Sequence, residues 1–208
     1  MIITYHGTGF IKASFGDTTL AFSPISKDSK LSPTRFGADV ALISINHPDT
    51  NGIAEVTRGD TAPFVVTGPG EYEVRGVTIK GTQTKSQYGG KGERINTVYA
   101  VRMEDMNLLY LGALNDGSVG ASVTEDMESV DVVFVPIGGD GVLDSGEAHK
   151  LAVSFEPKII IPIFGADDKD ALKTFLKEAG TDVKPVDKLT IKKKDIELMS
   201  GEVVVLSH

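Results

Sequence analysis

Val40-Ala41-Leu42-Ile43-Ser44-Ile45-Asn46-His47-Pro48-Asp49-Thr50 is the stretch on which the fold turns. Residues 40–45 are almost continuously apolar, as in a strand covered on both faces. Pro48 and the short polar residues around it end that strand. Working back toward the start, short apolar segments at 2–5, 10–15 and 18–22 read as strands, with Gly16-Asp17 as a hairpin signal. Working forward, a weak helical stretch at 53–57 precedes a strand at 64–67 and the turn Gly68-Pro69-Gly70. A meander follows at 72–74, 77–84, 97–103 and 107–111. Residues 85–94 between its long strands are glycine-rich and polar, and read as an exposed hairpin loop. Their glycine spacing fits neither a P-loop nor a dinucleotide fingerprint.

After Gly120 the rhythm becomes strand–helix alternation. The pattern predicts helices at 123–127, 145–155 with Ser145 as cap, and 168–179 closed by Gly180. It predicts buried strands at 131–136 and 158–163 and final strands at 189–193 and 203–206. No linker or tandem repeat interrupts this, so residues 1–208 are expected to form one domain of the α/β class, mixed sheets with helices outside.

Composition removes several functions. The 208 residues carry 21 Lys+Arg against 29 Asp+Glu, a net charge of −8. Broad phosphate neutralisation needs a basic surface, so nucleic acid is not expected as a partner. There is no cysteine, which excludes disulfides, thiolate zinc sites, iron–sulfur clusters and cysteine nucleophiles. No apolar run is long enough to span a membrane and the start lacks a signal-peptide pattern, so a cytoplasmic protein without a membrane partner is expected. Histidine occurs only at His6, His47, His149 and His208. No serine lies in a Gly-x-Ser-x-Gly elbow, so no Ser-His-Asp arrangement is supported.

Loops at the ends of buried strands carry function in layered α/β folds. Here they are Thr4-Tyr5-His6-Gly7-Thr8-Gly9-Phe10, the segment from Ser44 through Asn51, Leu111-Gly112-Ala113-Leu114-Asn115-Asp116-Gly117, and Pro162-Ile163-Phe164-Gly165. The opening Ile3-Thr4-Tyr5-His6-Gly7, with Arg35-Phe36-Gly37-Ala38-Asp39, Gly68-Pro69-Gly70-Glu71-Tyr72-Glu73, Asn96-Thr97-Val98-Tyr99, Leu111-Gly112, Val135-Pro136-Ile137-Gly138-Gly139 and Pro185-Val186-Asp187-Lys188-Leu189, resembles the metallo-β-lactamase-fold hydrolases. The likeness is greatest to short members described as zinc-dependent hydrolases, and it spans nearly the whole chain. It implies an αββα sandwich, two mixed sheets with helices on the outer faces.

The resemblance also implies metal held by His-x-His-x-Asp-His after the buried strand, a His in the next long hairpin, a bridging Asp after Leu-Gly, and a His ending a late strand. This chain departs at most of those positions. Ile45 and Thr50 stand at the ends of the first motif, Ser86 lies where the hairpin histidine falls, Ala113 replaces the bridging aspartate and Phe164 the late histidine. Ser23 replaces the aspartate usual before Pro24. Only His47 and Asp49 match, which gives fewer than the three protein ligands usual for catalytic zinc.

Each remaining candidate has an ordinary structural reading. His47 and Asp49 could be surviving ligands or a strand-end residue and a loop acceptor. Asp116 could restore ligation or be the turn residue of Asn115-Asp116-Gly117. His6 could face the same cleft. Glu71 and Glu73 share a strand face, where pairing with Arg75 suffices. Asp167, Asp168 and Asp170 suit a helix start, and Lys192-Lys193-Lys194 suits a charged edge strand.

The expected function is therefore that of a family-fold protein with its metal site dismantled and no cofactor: non-catalytic or functionally divergent, with a binding or assembly role. The alternative is a divergent hydrolase of a phosphoester or lactone, with a rebuilt mononuclear site holding one divalent metal (Mg, Mn or Zn) on Asp49, His47, Asp116 and His6. Self-association as a homo-oligomer is open on either reading, and no small-molecule or protein partner is specified.

Overall fold

Alternation of apolar side chains sets the sheets. The computed structural model describes residues 1–90, 92–165 and 167–208. Ile2–Tyr5 (β1), Ile11–Phe15 (β2) and Thr18–Phe22 (β3) form an antiparallel set. Phe15 pairs with Thr18 across Gly16-Asp17, and Gly16 has φ +53°, a value a two-residue turn requires and glycine adopts without strain. Val40–Leu42 (β4) and Phe64–Val66 (β5) join β3 in parallel, and Leu189–Thr190 (β12) closes the other side next to β1.

The second sheet contains Gly70–Val74 (β6), Val77–Ser86 (β7), Arg94–Met103 (β8) and Met106–Tyr110 (β9), an antiparallel meander. It continues in parallel through Val132–Pro136 (β10), Ile159–Ile163 (β11) and Glu202–Val203 (β13). Among the described residues the orders are β12-β1-β2-β3-β4-β5 and β13-β11-β10-β9-β8-β7-β6.

The main core lies between the sheets, with Ile3, Phe22 and Leu42 on one side and Ile79, Leu108, Phe134 and Ile161 on the other. Intervening residues of β9–β11 (Leu109, Val133, Val135, Ile160) face outward onto Ala148, Leu151 and Phe175. These belong to Ser145–Ser154 (α1) and Lys169–Glu178 (α2). Each fully buried large aliphatic or aromatic side chain stabilises the fold by about 1.5–3 kcal/mol. Outside the first sheet, Ala21, Ile25, Ala41 and Val56 pack with Phe10 and Phe36 under a 3₁₀ turn, Ile53–Val56.

Several local expectations change, among them the last strand, which is Glu202–Val203 in place of 203–206. Helix 123–127 is replaced by an earlier 3₁₀ segment, Gly117–Val123, after which Met127 N–H closes a turn on Thr124. The cap of α1 is Asp144, which accepts from Glu147 N–H at 2.9 Å; Ser145 Oγ instead donates to Ala171 of α2 at 2.8 Å. The strand expected at 189–193 ends at Thr190, and Lys193–Ile196 forms a one-turn helix (α3). The strand at 40–45 ends at Leu42. Among the described residues no helix is long and apolar enough to cross a membrane.

Candidate functional site

The ends of β4, β7, β9 and β11 meet at one edge of the sandwich. Tyr99 fixes the first of them, its hydroxyl donating to the carbonyl of Ile43 at 2.7 Å. Thr97 N–H donates to the carbonyl of Ser44 at 2.8 Å and Phe164 N–H to that of Thr8 at 2.6 Å, tying the sheets together there.

The loop after β4 folds on itself. Thr50 is buried and its Oγ1 donates to the carbonyl of Ile45 at 2.6 Å. Ile45 points into the main core, as do Ala113 and Phe164. Ser86 is buried at the end of β7, its Oγ accepting from Tyr88 N–H at 3.1 Å. Ala113 is held by its N–H, which donates to Asn96 Oδ1 at 2.9 Å. Ser23, with φ +45°, shares a 2.8 Å hydroxyl hydrogen bond with Ser44.

His47 and Asp49 lie together, with Nδ1 3.4 Å from the Asp49 Oδ2 carboxylate oxygen. Both groups are already engaged. His47 Nδ1 accepts from Asp49 N–H at 3.2 Å. On the other side of the ring Gly89, with φ +75°, packs so closely that a Cβ there would lie 2.5 Å from His47 Nε2. Asp49 Oδ1 accepts from the Ser29 hydroxyl, and Oδ2 accepts from the Tyr88 hydroxyl at 2.7 Å.

Tyr88 organises this edge. Its ring stands edge-on to His47 at 5.2 Å and to Phe164 at 5.1 Å between centroids. Burial, with Asp49 and Asp140 nearby, pushes its phenol well up, so the hydroxyl stays protonated and donates to the carboxylate. The sequence pattern does not identify Tyr88; the available signal was a single aromatic residue in an otherwise polar, glycine-rich loop. Part of that loop, Lys91, lies outside the described residues.

The remaining candidates are placed apart. Asp116 is exposed at the start of the 3₁₀ segment, and hydrogen bonds from Ser118 hold its carboxyl below the usual range. His6 packs on Phe10 and Phe36, with ring centroids at 5.1 and 5.6 Å. His149 packs on Phe175. His208 Nδ1 lies 3.0 Å from Asp167 Oδ1, whose Oδ2 accepts from Tyr5. Arg75 pairs with Asp39 at 3.5 Å instead of with Glu71 or Glu73. Asp168 caps α2, as a helix-start aspartate should. Among the described residues no three His, Asp or Glu side chains are grouped to hold a metal ion. A concavity of about 800 Å³ lies elsewhere, against β7–β9, with Lys80, Arg102 and Asp126 among its walls.

His6 has a measurable signature. Burial first, then Lys12 and His208, lower its pKa from 6.5 to about 4. The unfolded chain therefore takes up this proton at a higher pH than the folded one. Stability is full above the unfolded value and falls as pH drops from 6.5 toward 4. Because the ring is only half-buried, the expected loss is reduced by solvent screening to about 1–2 kcal/mol. Thermal melts between pH 7 and 4.5 should show His6→Phe, which preserves the stack on Phe10 and Phe36, losing less stability than the wild type. Parallel pH profiles would exclude this role.

None of the curated proteins matches the sequence. A solved structure of a candidate zinc-dependent hydrolase of the metallo-β-lactamase superfamily from Thermotoga maritima is 25% identical, covering 99% of this chain and 97% of that one with a TM-score of 0.77. A candidate metal-dependent hydrolase from Parabacteroides distasonis shares the fold at 20% identity, covering 88% and 90% of the two chains with a TM-score of 0.65. The metallo-β-lactamase-fold protein YhfI from Bacillus subtilis does so at 14% identity, covering 99% and 96%, with a TM-score of 0.60. The sequence model described as the β-lactamase superfamily domain matches residues 2–164. With most of its length matched, the chain belongs to the metallo-β-lactamase superfamily.

Proposed function

We propose that this chain is a member of the superfamily that acts without the family's metal-dependent hydrolysis, as a binding or assembly component. The observation that carries this reading is the engagement of Asp49 by the Tyr88 hydroxyl at 2.7 Å. The donor set does not fit a metal pair. Ile45, Ala113 and Phe164 offer no lone pairs and lie in the core. The Thr50 hydroxyl donates to the Ile45 and His47 carbonyls. His47 has one nitrogen engaged by Asp49 N–H and the other against Gly89. Catalytic zinc needs about three protein ligands and an open position for water, and these residues supply neither.

The competing reading is the divergent hydrolase with one metal, suggested by the description of the Thermotoga maritima relative. Its specific support is the 3.4 Å approach of His47 to Asp49. Asp116 and His6 sit with other partners, which weakens it. Elemental analysis of protein purified without chelator separates the readings. Transition metal far below one ion per chain is expected. Two tightly held ions would overturn the proposal, while one ion lost in Asp49→Ala would favour the mononuclear hydrolase.

A further inference from the structure

Tyr88 sits against His47, Asp49 and Phe164 as a ligand would. Its hydroxyl donates to a carboxylate, its ring is held edge-on between His47 and Phe164, and its backbone N–H is received by Ser86. We infer that Tyr88 is an exchangeable internal occupant, and that the cleft takes a small neutral aryl alcohol in its place. This rests on the metal-free reading above and gives that site a ligand class.

The chemistry selects the class. The Asp49 carboxylate accepts from the phenol at 2.7 Å, so an occupant must donate a hydrogen bond and carry no negative charge. The flanking rings require a flat apolar body. An aryl carboxylate or aryl phosphate fails the first condition, and an aliphatic alcohol lacks the ring contacts.

The loop is built so that the phenol can leave without unravelling the sheet. The β7–β8 ladder extends to Ser86 paired with Arg94, before the loop begins. Gln87 N–H is held by the carbonyl of Gly141 at 3.1 Å. Beyond Tyr88, residues 89, 90, 92 and 93 are exposed, and Glu93 pairs at the surface with Lys85. Swinging the ring out therefore breaks the bond to Asp49, the ring contacts and the packing of Tyr88 on the main core, while none of the β7–β8 pairs includes Tyr88. An external ligand competes with this closed form, so its apparent affinity is reduced by the fraction of time the cleft is open.

The test uses the full chain with 4-methylphenol, toluene and 4-methylbenzoate as probes, with binding followed by calorimetry and the Tyr88 ring by NMR. In Tyr88→Ala, 4-methylphenol should bind about ten- to hundredfold more tightly than toluene, the span of a hydrogen bond to a charged group. 4-Methylbenzoate should not bind. Adding Asp49→Ala should remove the preference for the hydroxyl. In the wild type 4-methylphenol should bind more weakly and move the Tyr88 resonances toward those of an exposed tyrosine.

Tyr88→Phe keeps the ring and loses the bond to Asp49, so it should bind 4-methylphenol more tightly than the wild type even if Tyr88→Ala does not fold. Absence of binding to the folded variants, equal binding of toluene, or unmoved wild-type Tyr88 resonances would overturn the inference. Metal content measured on the same samples keeps the failures distinct. Two bound metals would defeat the metal-free reading, whereas metal-free protein that ignores 4-methylphenol would defeat the ligand alone.

Discussion

Asn96→Ala is expected to lower the unfolding free energy by about 3–5 kcal/mol, because it strands two buried backbone groups at once. Asn96 is fully buried on β8. Its Nδ2 donates to Thr84 Oγ1 at 2.8 Å and to the Leu111 carbonyl at 3.0 Å, and its Oδ1 accepts from Ala113 N–H at 2.9 Å. One amide thus joins β7, β8 and the loop leaving β9. Alanine removes all three bonds, and Leu111 and Ala113, whose carbonyl and N–H lose their partner, are both fully buried. Asn96→Asp would keep the acceptor but lose both donations and set a carboxylate against the Leu111 carbonyl, so it should be no milder at neutral pH. Urea denaturation followed by circular dichroism gives the answer. A reduced midpoint with unchanged slope is the expected result, and a loss below about 1 kcal/mol would mean that water satisfies these groups.

Residues with a local rhythm declared their structure in the sequence, and those defined by distant partners did not. β10 and β11 are apolar at every position because Val132 and Phe134 face one core while Val133 and Val135 face another, so a continuous run was the right signal. Gly16-Asp17 needed no tertiary help to mark its hairpin. By contrast, Lys193, expected in the strand at 189–193, opens α3 and pairs with Asp131, 62 residues away. Helix 123–127 failed because a short amphipathic stretch without caps is a weak claim on helix. Ser145 looked like a cap by type, yet Asp144 one residue earlier receives the N–H and leaves the serine to bridge α1 and α2.

The candidate site divides along the same line. That Ile45, Ala113 and Phe164 are apolar was legible, because residue identity is local information, and they do lie in the main core. What surrounds His47 and Asp49 was not recognisable. Tyr88 reaches Asp49 across 39 residues of sequence and Ser29 across 20. Neither contact has a period or a spacing that marks it: Ser29 meets Asp49 between two loops of the first sheet, and Tyr88 arrives from the second.

The same pairing of Asp131 with Lys193 leads to the second large effect, in which the cost depends on which charge is left behind. Asp131 is 1% exposed at its side chain and Lys193 is 39% exposed. Both carboxylate oxygens lie 2.7 Å from the ammonium, and Oδ2 also accepts from Asn107 N–H at 2.8 Å. Lys193→Met removes the cation and leaves a carboxylate that solvent does not reach, for an expected loss of about 3–4 kcal/mol. Asp131→Asn leaves instead a lysine that can turn into water, and an amide oxygen that still receives the Asn107 N–H. Its expected loss is about 1–2 kcal/mol. Chemical denaturation of both variants and of the double variant completes the cycle, and the coupling should be favourable by more than the few tenths found for exposed pairs. Equal losses, or a larger one for Asp131→Asn, would mean that the carboxylate is hydrated and that α3 is held by Ile196 packing into the core rather than by charge.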